Sequence, residues 1–366
     1  MKLLVTGATG FLGSEVLPRL LERGHTVYAL SREQRRSDNK NLVYIQGSIT
    51  RCLPKIPALD AVLHMAALTS LRERDKSKMF RTNTLAAEHM AFYCASRQIP
   101  LFHVSTLYVC GDHKGLFTER DLNVKQGFKN LYEESKYEAE RSLRANPDLQ
   151  LTVFRPGILI GRYSDGHAAS FGGFYRPLGA IIACHRFFER DLGFPPRERF
   201  EDALHIPRLN LPIKITGDPN SLTALTPIDW AAKSIVENLN PGSIGRTFHL
   251  VPQRQPRMRE LVLAIRSALN ISGIEVVEHA RKDPLSLMYN RLVRDFTPYT
   301  RSQPTFTTSL GNCPFVNQSY LERVVAYWRK HSDPRNEDIR EHQGHRRADA
   351  FGRDDHEAAG VSARAV

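Results

Sequence analysis

Along the first 160 residues, short apolar runs alternate with stripes of about 3.6-residue period, which predicts strands alternating with helices. The first run, Leu3–Val5, breaks at Gly7, Gly10 and Gly13, and an amphipathic stripe follows at Phe11, Val16, Leu17, Leu20 and Leu21. Further strands are predicted at Val27–Leu30, Leu42–Ile45, Ala61–His64, Leu101–Ser105 and Leu151–Phe154, and helices over Thr84–Arg97 and Tyr132–Arg144. Past Gly161 the periods blur into a stretch rich in Gly, Pro, Phe, Arg and His. Ile213–Ile215 and Thr247–Val251 still read as short strands, and Ala231–Asn238 and Arg257–Leu269 as helices. From about Ser332 the chain is polar, with few aliphatic residues, and reads as a disordered tail.

This rhythm predicts an α/β fold, a Rossmann-type doubly wound parallel sheet that binds ligands at the carboxyl ends of its strands. Residues 1–161 are assigned to that dinucleotide-binding core. Residues 162–331 are assigned to a smaller irregular substrate-binding part interleaved with the last strands of the sheet, and 332–366 to the tail.

Composition adds bounds. At 366 residues with 41% hydrophobic and 25% charged positions, the chain can bury a sizeable core. No signal peptide is expected, and the apolar run around Leu178–Cys184 is too short to span a membrane. Cys52, Cys94, Cys110, Cys184 and Cys313 are odd in number and show no CxxC spacing, so neither a disulfide framework nor a metal site is expected, and a cytoplasmic setting fits. A net charge of +12 without a nucleic-acid motif points to acidic small molecules or an acidic protein partner rather than to nucleic acid.

The chemistry starts at the glycine turn. A strand, a GxxGxxG turn and a helix let the backbone approach a pyrophosphate closely while the helix N-terminus faces its charge. Tyr132 and Lys136 lie four apart on a predicted helix, so both side chains share one face. A phenol is a poor acid–base group at neutral pH, and a neighbouring ammonium is expected to lower its pKa into a useful range. Ser105 and Thr106 lie at the carboxyl end of the fourth long strand, where a hydroxyl can donate to a substrate carbonyl oxygen.

Six segments in order, GATGFLG (Gly7–Gly13), VLHMAA (Val62–Ala67), TNTLAA (Thr82–Ala87), VSTLYVCG (Val104–Gly111), YEESK (Tyr132–Lys136) and FRPGILIG (Phe154–Gly161), resemble the extended short-chain dehydrogenase/reductase superfamily. Within it the chain looks most like thioester reductase domains and fatty acyl-CoA reductases. The stretch from Leu211 to Leu239 and the following GRTFHLVP carry this resemblance to about Pro252. The resemblance implies Tyr132 as general acid/base, Lys136 as its partner and a holder of the nicotinamide ribose, and Thr106 as the catalytic hydroxyl. It implies cofactor contacts at Gly7, Thr9, Gly10, Phe11, Leu12, Gly13, Ser48, Ile49, Ala66, Ala67, Asn83 and Pro156. His64 is expected to line the cofactor cleft, and Arg155 to lie on the strand that passes the nicotinamide. Ser48 stands where much of the superfamily has an Asp that contacts the adenine, and Asp165 where thioester reductases often have Thr.

The second strand runs into Ser31 and Arg32 instead of the acidic residue that bonds a ribose 2′-hydroxyl, so NADP is expected, with NAD left open by Glu33. Arg35 and Arg36 lie close enough in sequence to add to Arg32. The resemblance implies reduction of an acyl thioester or aldehyde. Nucleotide-sugar epimerisation or dehydration, hydroxysteroid-like alcohol oxidation and a cofactor-binding regulator are the alternatives. No adenylation or carrier segment accompanies these motifs, so an acyl group on coenzyme A or an acyl carrier protein is expected to arrive in trans. Arg176, Arg186, Arg190, Arg197, Arg199 and Arg208 are candidates for steering it, with Phe174, Phe187, Phe188, Phe194 and Phe200 as candidates for an acyl pocket.

Overall fold

The computed structural model describes residues 1–332 apart from 52, 192–208, 280 and 302. Its centre is a seven-stranded parallel sheet made of β1 (Lys2–Thr6), β2 (Thr26–Ser31), β3 (Leu42–Gln46), β4 (Ala61–His64), β5 (Leu101–Val104), β6 (Leu151–Pro156) and β7 (Thr247–Leu250). The strand order is β7-β6-β5-β4-β1-β2-β3. The order reverses between β1 and β4, the switch point where such sheets open a crevice at their carboxyl ends. The register pairs Thr6 with His64, His64 with His103 and Val104 with Phe154, so the ends that carry the predicted chemistry come level.

Alternation along each strand decides which helices cover which face. Leu3, Val5, Ala61, Leu63 and Phe102 pack with Val16 and Leu20 of α1 (Gly13–Glu22) and, from far along the chain, with Ala231 and Ile235 of a helix at Ile228–Glu237. Leu4, Val62 and Leu101 face the other way. They meet Met90 and Cys94 of α2 (Ala86–Ala95) and Ala139 and Leu143 of α3 (Leu131–Arg144). Each fully buried leucine contributes about 2 kcal/mol by removal from water.

The predicted helix Thr84–Arg97 is divided. A short helix at Lys76–Phe80, capped by Asp75 Oδ1 accepting from Lys78 N at 2.9 Å, runs through a π turn at Arg81–Leu85 into α2. Beyond Gly161 the blurred stretch holds a long helix, α4 (Tyr175–Asp191), and the helix at Ile228–Glu237 is α5. They are followed by α6 (Met258–Ala268), α7 (Pro284–Leu292) and α8 (Gln318–His331). Helices α4, α6, α7 and α8 build a second core around Ile213, Ile215, Leu225 and Trp328. Tyr175 and Tyr320 anchor it at Gly161: Gly161 N donates to the Tyr175 hydroxyl at 2.9 Å, and the Tyr320 hydroxyl donates to Gly161 O at 2.6 Å.

Cys94, Cys110, Cys184 and Cys313 are free thiols, and Cys52 lies outside the described residues. So does the tail from residue 333. Among the described residues, no helix is long and apolar enough to cross a membrane, and no three His, Cys, Asp or Glu side chains are grouped to hold a metal.

Candidate active site

The glycine turn between β1 and α1 packs too tightly for other residues at two of its three glycines. Gly7 has a φ of +75°, and a Cβ there would lie 2.7 Å from Ala66 N; at Gly13 it would lie 2.2 Å from Gly7 O. Gly10 differs: its only close neighbour would be Gly7 O at 3.3 Å, so the fold itself nearly tolerates a side chain there. Gly10 lines a cavity of about 940 Å³ that runs along the carboxyl ends of the strands, and an added methyl group would enter it. No side chain caps the start of α1; Ser14 N and Glu15 N already donate within the turn, to Gly10 O at 2.9 Å and Leu12 O at 3.1 Å, so the positive end of the helix dipole is what the turn offers an anion. The turn therefore fits a dinucleotide pyrophosphate.

Thr9, Phe11, Leu12 and Gly13 also line this cavity, as do Arg32, Ser48, Ile49, Ala66, Ala67 and Pro156. Arg32 is exposed at the mouth. Arg35 instead pairs with Glu33 at 3.0 Å, and neither of these two lines the cavity. Ser48 holds a local turn, with its Oγ 2.9 Å from Thr50 Oγ1. That polar turn occupies the place of the superfamily's aspartate.

Asn83 and His64 lie outside the cavity lining, and Arg155 sits on its expected strand but faces away from the cavity. Asn83 is 1% exposed and does not line the cavity. Its side chain accepts from Leu68 N at 2.7 Å and donates to Leu68 O and Ser135 Oγ at 3.0 Å each, so it ties the segment after β4 to α3. His64 is buried against Thr6 Oγ1 at 2.7 Å, and the neighbouring Ala66 and Ala67 do the lining. Arg155 is fully buried beneath the site. It pairs with Glu140 at 2.6 Å and donates to His249 Nε2 at 3.1 Å.

Thr106, Tyr132 and Lys136 all line the cavity and come from the end of β5 and the first turns of α3. The helix starts where it does because Asn130 Oδ1 accepts from Glu133 N at 3.0 Å. Thr106 accepts from Tyr108 N at 3.3 Å and shares a hydrogen bond with Tyr132. Ser105, also lining the cavity, has a buried hydroxyl without a protein partner. It is the freer of the two donors.

The expected Tyr–Lys coupling takes a different form. Burial pushes the Tyr132 phenol up to about 12, with only the Thr106 hydrogen bond pulling the other way. Lys136 Nζ is turned to Val104 O at 2.7 Å and His103 Nε2 at 3.2 Å. Burial draws that ammonium down to about 8, although the Glu140 charge opposes it.

On the far side of Thr106 and Tyr132 the wall changes character. Phe174, Leu178, Leu225, Leu261, Val262, Ile265, Val293 and Phe296 line a mostly apolar arm between α4, α6 and α7, with Thr216, Thr223, Asn290, Thr297 and Thr300 among them. Tyr108 and Tyr299 also line the cavity, edge to face at 4.9 Å. The Tyr299 hydroxyl donates to the buried Glu133 Oε1 at 2.6 Å and accepts from Asn130 Nδ2 at 2.7 Å. No sequence motif marks Tyr299, which reaches the start of α3 from the C-terminal part. The cap pattern Asn130-x-x-Glu133 is the only local hint that polar groups converge there.

Of the proposed acyl and docking positions, Phe174 lines the cavity, Phe187 is partly buried against the helical core, and Arg176 and Arg186 are exposed on α4. Phe194, Arg197, Arg199, Phe200 and Arg208 lie outside the described residues, as do the side chains of Phe188 and Arg190.

Residues 1–172 match the family described as the RmlD substrate binding domain. Over this stretch, just under half of its length, the chain is similar to the extended short-chain dehydrogenase/reductases. The chain is 28% identical over 169 residues to a putative dihydroflavonol 4-reductase of Synechocystis sp., covering 43% of the chain and 49% of that protein. Over 294 residues it is 25% identical to a probable low-salt glycan biosynthesis reductase of Haloferax volcanii, covering 75% of the chain and 91% of that protein. The chain spans about half the length of the first curated relatives it matches. Among solved structures, the terminal R domain of the myxalamid PKS-NRPS pathway superposes with a TM-score of 0.68 at 22% identity, over 89% of this chain and 90% of that one. The UDP-glucuronic acid 4-epimerase of Bacillus cereus does so with 0.61 at 17% identity, over 90% and 99%. At these identities the likeness is one of fold.

Proposed function

We propose that this chain is an NADP-dependent reductase acting on the carbonyl of an acyl thioester or of the corresponding aldehyde. The observation that carries this reading is the apolar arm. Among the described lining residues Arg32 and Lys136 are the only Arg or Lys side chains, and neither belongs to the arm. A nucleotide sugar brings a diphosphate that needs cations or a dense set of donors at the substrate end. An acyl chain needs what the arm offers.

Residues 1–161 would hold the cofactor, with its pyrophosphate at the Gly7–Gly13 turn and a 2′-phosphate near Arg32; residues 162–331 would cover the substrate. When bound there, the reduced nicotinamide supplies a hydride to the carbonyl carbon. Tyr132, held in its acid form by burial, keeps a proton at its hydroxyl for the carbonyl oxygen. Ser105 and Thr106 orient that oxygen, and the Lys136 ammonium favours the phenolate once the proton has left. With a thioester the carbonyl carbon then releases the thiol and an aldehyde remains. A solved di-domain from an archaeal non-ribosomal peptide synthetase joins a thiolation unit to a reductase, which supports an acyl group delivered on a carrier or on coenzyme A.

A second reading, oxidation of a flat apolar alcohol, is also favoured by the apolar arm; one curated relative is named a 3 beta-hydroxysteroid dehydrogenase/Delta 5-->4-isomerase of Mycobacterium tuberculosis. Incubation with NADPH and a panel of acyl thioesters and aldehydes, with products weighed by mass spectrometry, tests the choice. NADPH consumption with formation of aldehyde or alcohol is expected. Redox-neutral conversion of a nucleotide sugar, or turnover of apolar alcohols with an oxidised cofactor alone, would refute it. Silence across the whole panel would favour a regulator.

A further inference from the structure

Behind Lys136 lie two buried imidazoles that the chemistry above does not use. His64 and His103 occupy matched positions on β4 and β5, with ring centroids 5.4 Å apart and 26° between the planes. The outer end of the pair is fixed, since His64 Nδ1 and Thr6 Oγ1 are hydrogen-bonded at 2.7 Å. The inner end meets the lysine: Nζ lies 3.2 Å from His103 Nε2 and 2.7 Å from Val104 O. An ammonium has three donors and accepts nothing, so the charged lysine makes His103 Nε2 an acceptor and leaves the ring proton on Nδ1. His103 Nδ1 and His64 Nε2 have no partner within the protein. Burial and the Lys136 charge hold both imidazoles neutral, His64 at about 3 and His103 well below the usual range.

We propose that His103 is a positioning residue for Lys136: with Val104 O it engages two of the three ammonium N–H groups and thereby commits the third to the cavity. A lysine side chain has four rotatable bonds and a freely turning head, so two fixed acceptors supply the aim that the residue lacks alone. The other titratable groups around the ammonium are Tyr132 and Glu140 on its own helix and His64 behind His103. Glu140 is itself held by Arg155 at 2.6 Å and Arg144 at 2.8 Å. The consequence for turnover rests on the acid–base reading of Tyr132 and Lys136, whereas the contact between His103 and Lys136 does not.

The test reads the ammonium directly. Competitive acetylation of the cofactor-free protein with trace acetic anhydride, quantified at Lys136 by mass spectrometry over neutral to alkaline pH, gives its titration midpoint. Loss of an acceptor from a charged donor in His103→Leu should lower that midpoint by about one pH unit. Its pH–rate profile should move with it, and kcat should fall more than KM rises. His103→Gln, whose amide oxygen can reach the place of Nε2, should restore both, and the shorter His103→Asn should not. If His103→Leu does not fold, the Gln and Asn variants carry the comparison. An unmoved midpoint in folded His103→Leu, or equal midpoints in the Gln and Asn variants, would overturn the proposal. A moved midpoint beside an unmoved pH–rate profile would keep His103 as the positioning residue and overturn the part given to Lys136 in turnover.

Discussion

Replacing Gly10 and Gly13 with alanine in turn separates what the glycine turn does for the fold from what it does for a ligand. At Gly13 the new Cβ would sit 2.2 Å from Gly7 O and 2.5 Å from Ala8 O, both backbone atoms of the same turn, so the turn has to open. Overpacking of this kind costs about 1–3 kcal/mol, and a clash with backbone belongs at the upper end. At Gly10 the nearest atom is 3.3 Å away, a contact that relaxes by a few tenths of an ångström, so the change in stability should stay within about 0.5 kcal/mol. The Gly10 methyl group nevertheless enters the cavity where a pyrophosphate has to approach the backbone. A weakening of NADPH binding by at least about tenfold, near 1.4 kcal/mol, is expected. Urea unfolding of both variants, with fluorescence titration of NADPH, gives the two quantities. Wild-type affinity in Gly10→Ala would refute this placement of the cofactor, and unchanged unfolding in Gly13→Ala would refute the packing.

Tyr132→Phe should lower kcat by about 10²- to 10⁴-fold with the NADPH dissociation constant unchanged, checked by steady-state kinetics beside titration. Because the Thr106 hydroxyl already serves Tyr108 N and Tyr132 while that of Ser105 is unpartnered, Ser105→Ala and Thr106→Ala should both lower kcat, and wild-type turnover in both would remove the hydroxyl donor from the scheme. Arg32→Asp should weaken NADPH by roughly ten- to a hundredfold and shift preference toward NADH, measured as the ratio of kcat/KM values. Glu140→Gln leaves Arg155 buried without its charge partner and should cost about 3–5 kcal/mol in urea unfolding at neutral pH. In the unmodified protein burial would raise the Glu140 carboxyl, but Arg155 and Arg144 bring it down to about 2 from 4.5. Its stabilisation is therefore complete above 4.5 and lost as the pH falls toward 2, a slope that the Gln variant should lack.

Periodicity reveals the central strands because they are buried on both faces and bounded by turn residues, so Ala61–His64 is legible to the residue. It errs where local geometry departs from a plain helix. The π turn at Arg81–Leu85 leaves no mark on the spacing of apolar positions, and Asp75, the cap that opens the segment, sits outside the stripe. Helix α4 is hidden because it is covered by other helices over much of its surface, which blurs a one-sided stripe. In the site, residues close in sequence to a motif are legible and those brought in by the fold are not. Tyr132 and Lys136 announce each other by spacing; Tyr299 meets Glu133 across 166 residues. Strand alternation separates Arg155 from Pro156, so Pro156 lines the cavity while Arg155 turns inward to Glu140. His64, the last residue of β4, is instead held inward by Thr6, and the lining falls to Met65, Ala66 and Ala67 beyond the strand end.

The protonation state of the site bears on the direction of the proposed reaction. An oxidation begins with a base, and a phenol pushed up to about 12 is not one at neutral pH. A reduction begins with an acid, which the same phenol supplies. Lys136, drawn down to about 8 by burial, remains mostly charged at neutral pH. Burial keeps the proton on Tyr132 before the step but also weakens it as an acid, so in the proposed scheme the Lys136 charge has to favour the phenolate as the proton leaves. If the protein runs as a reductase, the reductive rate should stay level as pH falls from neutral and decline as Lys136 loses its proton near pH 8. A rate that instead rises steeply through that range would mean that the phenolate is the working form and that the chemistry runs toward oxidation.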